Sequence, residues 1–114
     1  MKHESKIKIH VGLDENRVPE KLEWEAEDGG QRKSETKAIL LSVWEEATEN
    51  TLRIDLWTKE MRVDEMKKLI HQTMLGLADT LERSANEEKM AGDMRDFARY
   101  YAEKLDLIQK PKDQ

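Results

Sequence analysis

The hydrophobic period of the chain changes once, near residue 61, and that change restricts the fold more than any other feature. Before it, apolar residues recur at every second position in short runs; after it, they recur every three or four. The first spacing puts one face of a strand on a core, and the second puts one stripe of a helix there. Ile7, Ile9, Val11 and Leu13 alternate with Lys8, His10 and Gly12, which predicts a strand over 5–13. Leu22, Trp24 and Ala26 alternate with Lys21, Glu23, Glu25 and Glu27, which predicts a second over 19–27. Pro19 stands at its start or on an edge, where a missing N–H is tolerated. Two further runs rich in β-branched residues, Leu and Trp predict strands over 38–46 and 51–58, separated by the polar turn Glu46-Ala47-Thr48-Glu49-Asn50. Between the two pairs, residues 28–35 hold two glycines and no apolar side chain, so they read as a mobile loop.

Beyond Met61, Val63, Met66, Ile70, Met74, Leu77 and Leu81 share one stripe, predicting a helix over 63–84 with Asp64 at its N-terminal end. Ser84-Ala85-Asn86-Glu87 has the spacing of a capping box, with Asn86 as the competing N-cap. A second helix is therefore expected over 86–108, with the stripe Met90, Met94, Phe97, Ala98, Tyr101, Leu105 and Ile108. Pro111 lies beyond its natural end, and the tail after Lys110 is expected to fray. Strands followed by helices give an α+β fold: a four-stranded antiparallel sheet of two hairpins, then two long C-terminal helices packed on one face. At 114 residues, with no break in composition, the chain is expected to form one domain over 1–114. A core of that size needs neither metal nor disulfide as a staple.

Composition narrows the function. Cysteine is absent, which removes thiolate nucleophiles, disulfides and every cysteine-containing metal site. The N-terminus alternates polar and apolar residues, unlike a signal peptide, and the longest apolar run, Ala38 to Leu41, is far short of a membrane span. A cytoplasmic protein without membrane insertion is the expectation. Charged residues reach 39%, yet the net charge is -5, and Lys and Arg sit beside Asp and Glu almost everywhere. Nucleic acid, which selects for a clustered basic face, is not an expected partner.

No arrangement of residues supports catalysis, so no enzyme, cofactor or metal is expected. His3, His10 and His71 lack metal-ligand spacing and read as surface or flanking histidines. Adjacent acids such as Glu23 and Glu25 belong to solvated strand faces, which cannot give two carboxyls the distinct environments acid–base work requires. Asp28-Gly29-Gly30 has no P-loop context, and no serine lies in a nucleophile elbow. A cluster of His10 or His71 with carboxylates in one cleft would reopen the question. Four methionines, at 66, 74, 90 and 94, lie on the helical stripes, where core packing explains them.

One strand departs from simple alternation. Ile39, Leu41 and Val43 share one parity, while Leu40 and Trp44 share the other, and only one set can face the core. If the odd residues turn inward, Leu40 and Trp44 lie on the open face, joined by Trp57, which is out of phase with Leu52, Ile54 and Leu56. Such a patch is either covered by loops and chain ends or is a site for a partner.

Longer strings add a resemblance. Val11-Gly12-Leu13-Asp14-Glu15-Asn16-Arg17-Val18-Pro19-Glu20-Lys21-Leu22-Glu23-Trp24, followed by Ala26-Glu27-Asp28-Gly29-Gly30, resembles the gliding motility-associated protein GldC family. So do Leu40-Leu41-Ser42-Val43-Trp44, Leu52-Arg53-Ile54-Asp55-Leu56-Trp57-Thr58-Lys59, Val63-Asp64-Glu65-Met66-Lys67 and His71-Gln72-Thr73. Ala78-Asp79-Thr80 and Glu88-Lys89-Met90 are similar as well. The resemblance implies an accessory or adaptor protein of the bacterial gliding machinery and its linked secretion apparatus, and it carries no catalytic motif. The expected partner is a protein of that machinery or a second copy of the chain, bound at Leu40, Trp44 and Trp57. The alternative is a small-molecule or lipid-binding module with a cavity between sheet and helices, lined by Met66, Met74, Met94 and Phe97.

Overall fold

The computed structural model describes residues 2–108, so Pro111 and the tail after Lys110 lie outside the described residues. The chain forms five strands and then two helices, in two compact units, 1–62 and 63–114.

In the first unit, β1 (Ile7–Leu13) pairs antiparallel with β2 (Pro19–Ala26), with Ile9 opposite Trp24 and Val11 opposite Leu22. Facing residues in an antiparallel ladder share a face, so Ile7, Ile9, Val11, Leu22, Trp24 and Ala26 form one apolar surface. Lys8, His10, Lys21, Glu23 and Glu25 lie on the other. Leu22, 1% exposed, is the one large side chain that is fully buried among the described residues.

The turn between these strands is set by Asp14. Its carboxylate accepts the backbone N–H groups of Asn16 (2.8 Å) and Val18 (2.9 Å), the local bonding that makes aspartate a turn residue. The turn closes with Arg17 in the left-handed region, φ 63°. Lys59, just past the last strand, forms an ion pair with the other Asp14 oxygen. That ammonium, with the Val18 N–H, holds the Asp14 carboxyl below the usual carboxylate range, and Asp14 in turn raises the Lys59 ammonium.

The segment expected to be a mobile loop is instead a tight turn followed by a strand. Gly30 takes φ 70°, and β3 (Gln31–Thr36) pairs antiparallel with β2, placing Ser34 opposite Trp24 and Thr36 opposite Leu22. Lys33 reaches Glu23 on the charged face at 3.8 Å. A single residue, Lys37, separates β3 from β4 (Ala38–Glu45), and there the chain leaves the first sheet. β4 pairs antiparallel with β5 (Asn50–Trp57), through a turn whose Glu49 N–H donates to the Glu45 carbonyl at 2.9 Å with Glu49 at φ 55°. The single four-stranded sheet expected from the sequence is thus replaced by two antiparallel sheets, one of three strands and one of two. β3 extends the first hairpin, and the second hairpin stands apart from that ladder.

The second unit is a helical pair, α1 (Val63–Ala85) and α2 (Glu88–Lys104), with Asp64 and Glu65 in the first turn of α1. Its fully buried residues, among those described, are Ala78, Ala91, Ala98 and Ala102; small side chains let two helices approach closely. Arg95 of α2 forks to Asp79 and Glu82 of α1, both at 2.8 Å, and these carboxylates raise its already high pKa. The His71 ring stacks on Tyr101 at 6.3 Å, and the Tyr101 hydroxyl donates to the Lys67 carbonyl at 3.2 Å.

The expected capping box is not formed. Asn86 adopts φ 59° and donates its N–H to the Glu82 carbonyl, so it ends α1 as a left-handed C-terminal residue. Ser84 bonds back to the Thr80 carbonyl, and Glu87 holds the N-cap position of α2 without a side-chain bond. α2 also ends earlier than 108. Asp106 turns to φ 59°, Leu107 N–H reaches the Ala102 carbonyl at 2.8 Å and Asp106 N–H the Glu103 carbonyl at 3.2 Å, which is a Schellman ending.

Candidate functional site

The β4–β5 hairpin carries the residues that the sequence singles out. Its register sets Ala38 opposite Trp57, Leu40 opposite Asp55, Ser42 opposite Arg53 and Trp44 opposite Thr51, so these eight share a face. Leu40, Trp44 and Trp57 therefore do lie on one side of the sheet. Trp44 is 63% exposed and Trp57 53%, while Leu40 is half-buried. They do not form one cluster. Trp57 sits in the first row and Trp44 in the last, six residues apart along the strands, or roughly 20 Å at the rise of a strand. Between the tryptophans, the Arg53 guanidinium forks to Asp55 (2.7 Å to one oxygen, 3.5 Å to the other) and also donates to the Ser42 hydroxyl.

The opposite face consists of Ile39, Leu41, Val43, Leu52, Ile54 and Leu56, with Glu45 and Asn50 at the turn end. It was expected to be the buried side. Val43, Leu52 and Ile54 are nevertheless 49%, 51% and 54% exposed. The sequence reading missed this second apolar surface because it treated inward parity as burial. The same run of three apolar pairs would have found it, since a two-stranded ribbon has little of its own to cover such a face.

Leu40 and Ile39 also line an apolar cleft of about 320 Å³ in the strand unit, with Ile7, Ile9, Trp24, Thr36 and Ala38. In the helical unit, Met74, Met90, Met94 and Phe97 line a cleft of about 300 Å³ with Asp93 at its edge. Met66, expected in a ligand cavity with Met74, Met94 and Phe97, does not line it.

The polar candidates are engaged in local pairs. His10 meets Glu25 at 3.0 Å on the charged face of the first sheet, and this bond lowers the Glu25 carboxyl from its ordinary value. His3 meets Asp28 at 2.8 Å, and His71 is held by Tyr101. Among the described residues, no three His, Asp or Glu side chains converge as a metal site would require, and no helix is long and apolar enough to cross a membrane.

Comparison with known proteins adds one finding. No curated protein and no solved structure gives a significant match. The model of the family described as gliding motility-associated protein GldC-like matches residues 19–107, from the first residue of β2 to beyond the end of α2, and so takes in Leu40, Trp44 and Trp57. The chain belongs to the GldC-like family of gliding motility-associated proteins.

Proposed function

We propose that the protein is a cytoplasmic accessory or adaptor factor of the gliding machinery and its linked secretion apparatus, acting as one domain that binds a protein partner through the Leu40, Trp44 and Trp57 face. The observation that carries this reading is the pair of tryptophans, each more than half exposed, on a sheet face whose only ion pair among the described residues is Arg53–Asp55. Exposed Trp and Arg around a partly covered aliphatic residue are the composition of binding hot spots. Unpartnered tryptophan on a strand face has no role in solvation, whereas the charged face of the first sheet does.

The test replaces Trp44 and Trp57 together by Ala in a gliding cell and places a photo-crosslinking residue at Thr51, on the same face. The expected result is loss of gliding with an unchanged circular-dichroism spectrum, together with a specific crosslink from Thr51 that the double substitution abolishes. Normal gliding and an unchanged crosslinking pattern in the double variant would sink the proposal.

A second reading is a module for an apolar small molecule or lipid, supported by the methionine-lined cleft of the helical pair. Its volume lies at the low end of the range for ligand sites. Protection of Met74, Met90 and Met94 from oxidation by an added fatty acid is the outcome this reading expects; equal oxidation with and without it removes the reading.

A further inference from the structure

β5 has one ladder neighbour, β4, and forms no ladder along its other edge among the described residues. The backbone groups on that edge can be assigned. Thr58 donates its N–H to the Lys37 carbonyl at 2.9 Å, which makes Lys37 and Thr58 a hydrogen-bonded pair. Such pairs alternate along an antiparallel ladder. Leu52, Ile54 and Leu56 therefore direct their backbone groups to β4, and Thr51, Arg53, Asp55 and Trp57 direct theirs outward.

The outward residues are self-complementary. When a second β5 lies antiparallel along the first, centred on Ile54, Arg53 faces Asp55 of the second copy and Asp55 faces its Arg53. Thr51 and Trp57 face each other in the same way. The register centred on Arg53 sets arginine against arginine, and the one centred on Asp55 sets aspartate against aspartate. Like charges directly opposite oppose pairing, and opposite charges favour it. On the other face, the favoured register sets Leu52 against Leu56 and Ile54 against Ile54, which extends the half-exposed apolar surface across the joint. We propose that β5 is the seam of a homodimer, in which two chains join edge to edge about Ile54 into a continuous sheet of four strands in the order β4-β5-β5-β4.

No other unpaired strand edge among the described residues offers this combination. The titratable side chains of β1 are Lys8 and His10, so no register of β1 with itself opposes unlike charges, and lysine on an edge discourages pairing. β4 carries one charge, Glu45. β3 has Lys33 and Glu35 about Ser34, but no apolar residue to join. A two-stranded ribbon is marginal in water, whereas a sheet of three or more strands with an apolar face sustains itself; the seam converts the first into the second. It also closes a gap in the binding face. Trp44, Thr51 and Trp57 of the second copy fall in one row, which brings the two tryptophans within two strand spacings, roughly 10 Å.

The test is the solution mass of the full chain by light scattering over a wide concentration range, with charge exchanges at the seam. Wild type is expected at twice the chain mass. Arg53→Asp and Asp55→Arg, each alone, set like charges opposite and are expected to be monomers, weakened by roughly tenfold or more. An equimolar mixture of the two, and the double exchange in one chain, restore the opposition of unlike charges and are expected to regain the doubled mass. Trp44→Ala, outside the ladder, is expected to stay dimeric, so loss of the seam and loss of the partner-binding face are separable. A wild type that stays monomeric at every concentration overturns the proposal. So do single exchanges that remain dimeric, or a mixture and a double exchange that remain monomeric.

Discussion

The two hairpins of the strand unit follow the same plan on one face and opposite plans on the other. Each has an apolar side: Ile9, Val11, Leu22 and Trp24 in the first, Leu41, Val43, Leu52 and Ile54 in the second. On the reverse, β1–β2 is charged from end to end, with Glu23 between Lys21 and Lys33 and Glu25 bonded to His10. A third strand extends it. The reverse of β4–β5 has tryptophan at both ends with the Arg53–Asp55 pair between them, and its sheet has two strands among the described residues. A face filled with charge is well solvated, while one with exposed tryptophan leaves large apolar area in water. The first hairpin holds the fully buried Leu22, and the second holds two tryptophans that are each more than half exposed.

The strongest way to break this comparison is one substitution made in both hairpins. Leu22→Ala removes a fully buried side chain and is expected to cost about 2–5 kcal/mol in denaturant unfolding. Leu52→Ala, at a half-exposed position, is expected to cost less than about 1 kcal/mol when measured at low protein concentration. Equal losses would mean that the second hairpin is as well covered as the first.

The next effect is electrostatic and specific to the first turn. Because Lys59 and the Val18 N–H lower the Asp14 pKa in the folded chain, the contribution of Asp14 is complete above the ordinary carboxylate range and lost as pH falls through the lowered value. The Lys59 pKa is raised, so its share persists below the ordinary lysine range and disappears as pH rises through the raised value. Asp14→Asn keeps an acceptor for the turn but loses the charge. It is expected to lower the melting temperature at neutral pH, with the deficit closing as the solution is acidified; a deficit independent of pH would place its cause in turn geometry alone.

A smaller effect, of opposite sign, separates the two turns. Arg17 and Glu49 hold positive φ, a conformation that glycine adopts without the strain other residues carry. Arg17→Gly and Glu49→Gly are each expected to raise stability by about 0.5–1 kcal/mol in denaturant titration. The smallest change is expected from Trp44→Ala, within about 1 kcal/mol of wild type, since most of its surface is already in water. A larger loss there would assign Trp44 to the core.

Most of this architecture is legible in the sequence because it rests on hydrophobic period. Four strands and both helices follow from it, as does the shared face of Leu40, Trp44 and Trp57, which needs only parity. β3 escapes the same reading because Gln31-Arg32-Lys33-Ser34-Glu35-Thr36 has no apolar residue to alternate. Its polar residues show no period either, since Arg32 shares the parity of Ser34 and Thr36 while Gln31 shares that of Lys33 and Glu35. The split into two sheets was hidden for a related reason: nothing in the pattern marks Lys37 as the point where a ladder stops. Asn86 has a side chain suited to starting a helix and a backbone tolerance suited to ending one, and local spacing cannot choose between them. The separation of the tryptophans depends on strand register, which turn geometry sets at Glu45 to Asn50.

Every ladder in the strand unit joins strands that are neighbours in sequence, and this has a kinetic consequence. Loop closure between adjacent strands is short, so little chain entropy is lost before pairing begins, and proteins rich in such local contacts fold fast. Synthesis runs from the N-terminus, and no pairing within β1 to β5 waits for a residue beyond Trp57. The strands can therefore assemble hairpin by hairpin while the helices are still being made, which leaves the outward edge of β5 the last of the sheet surfaces to emerge.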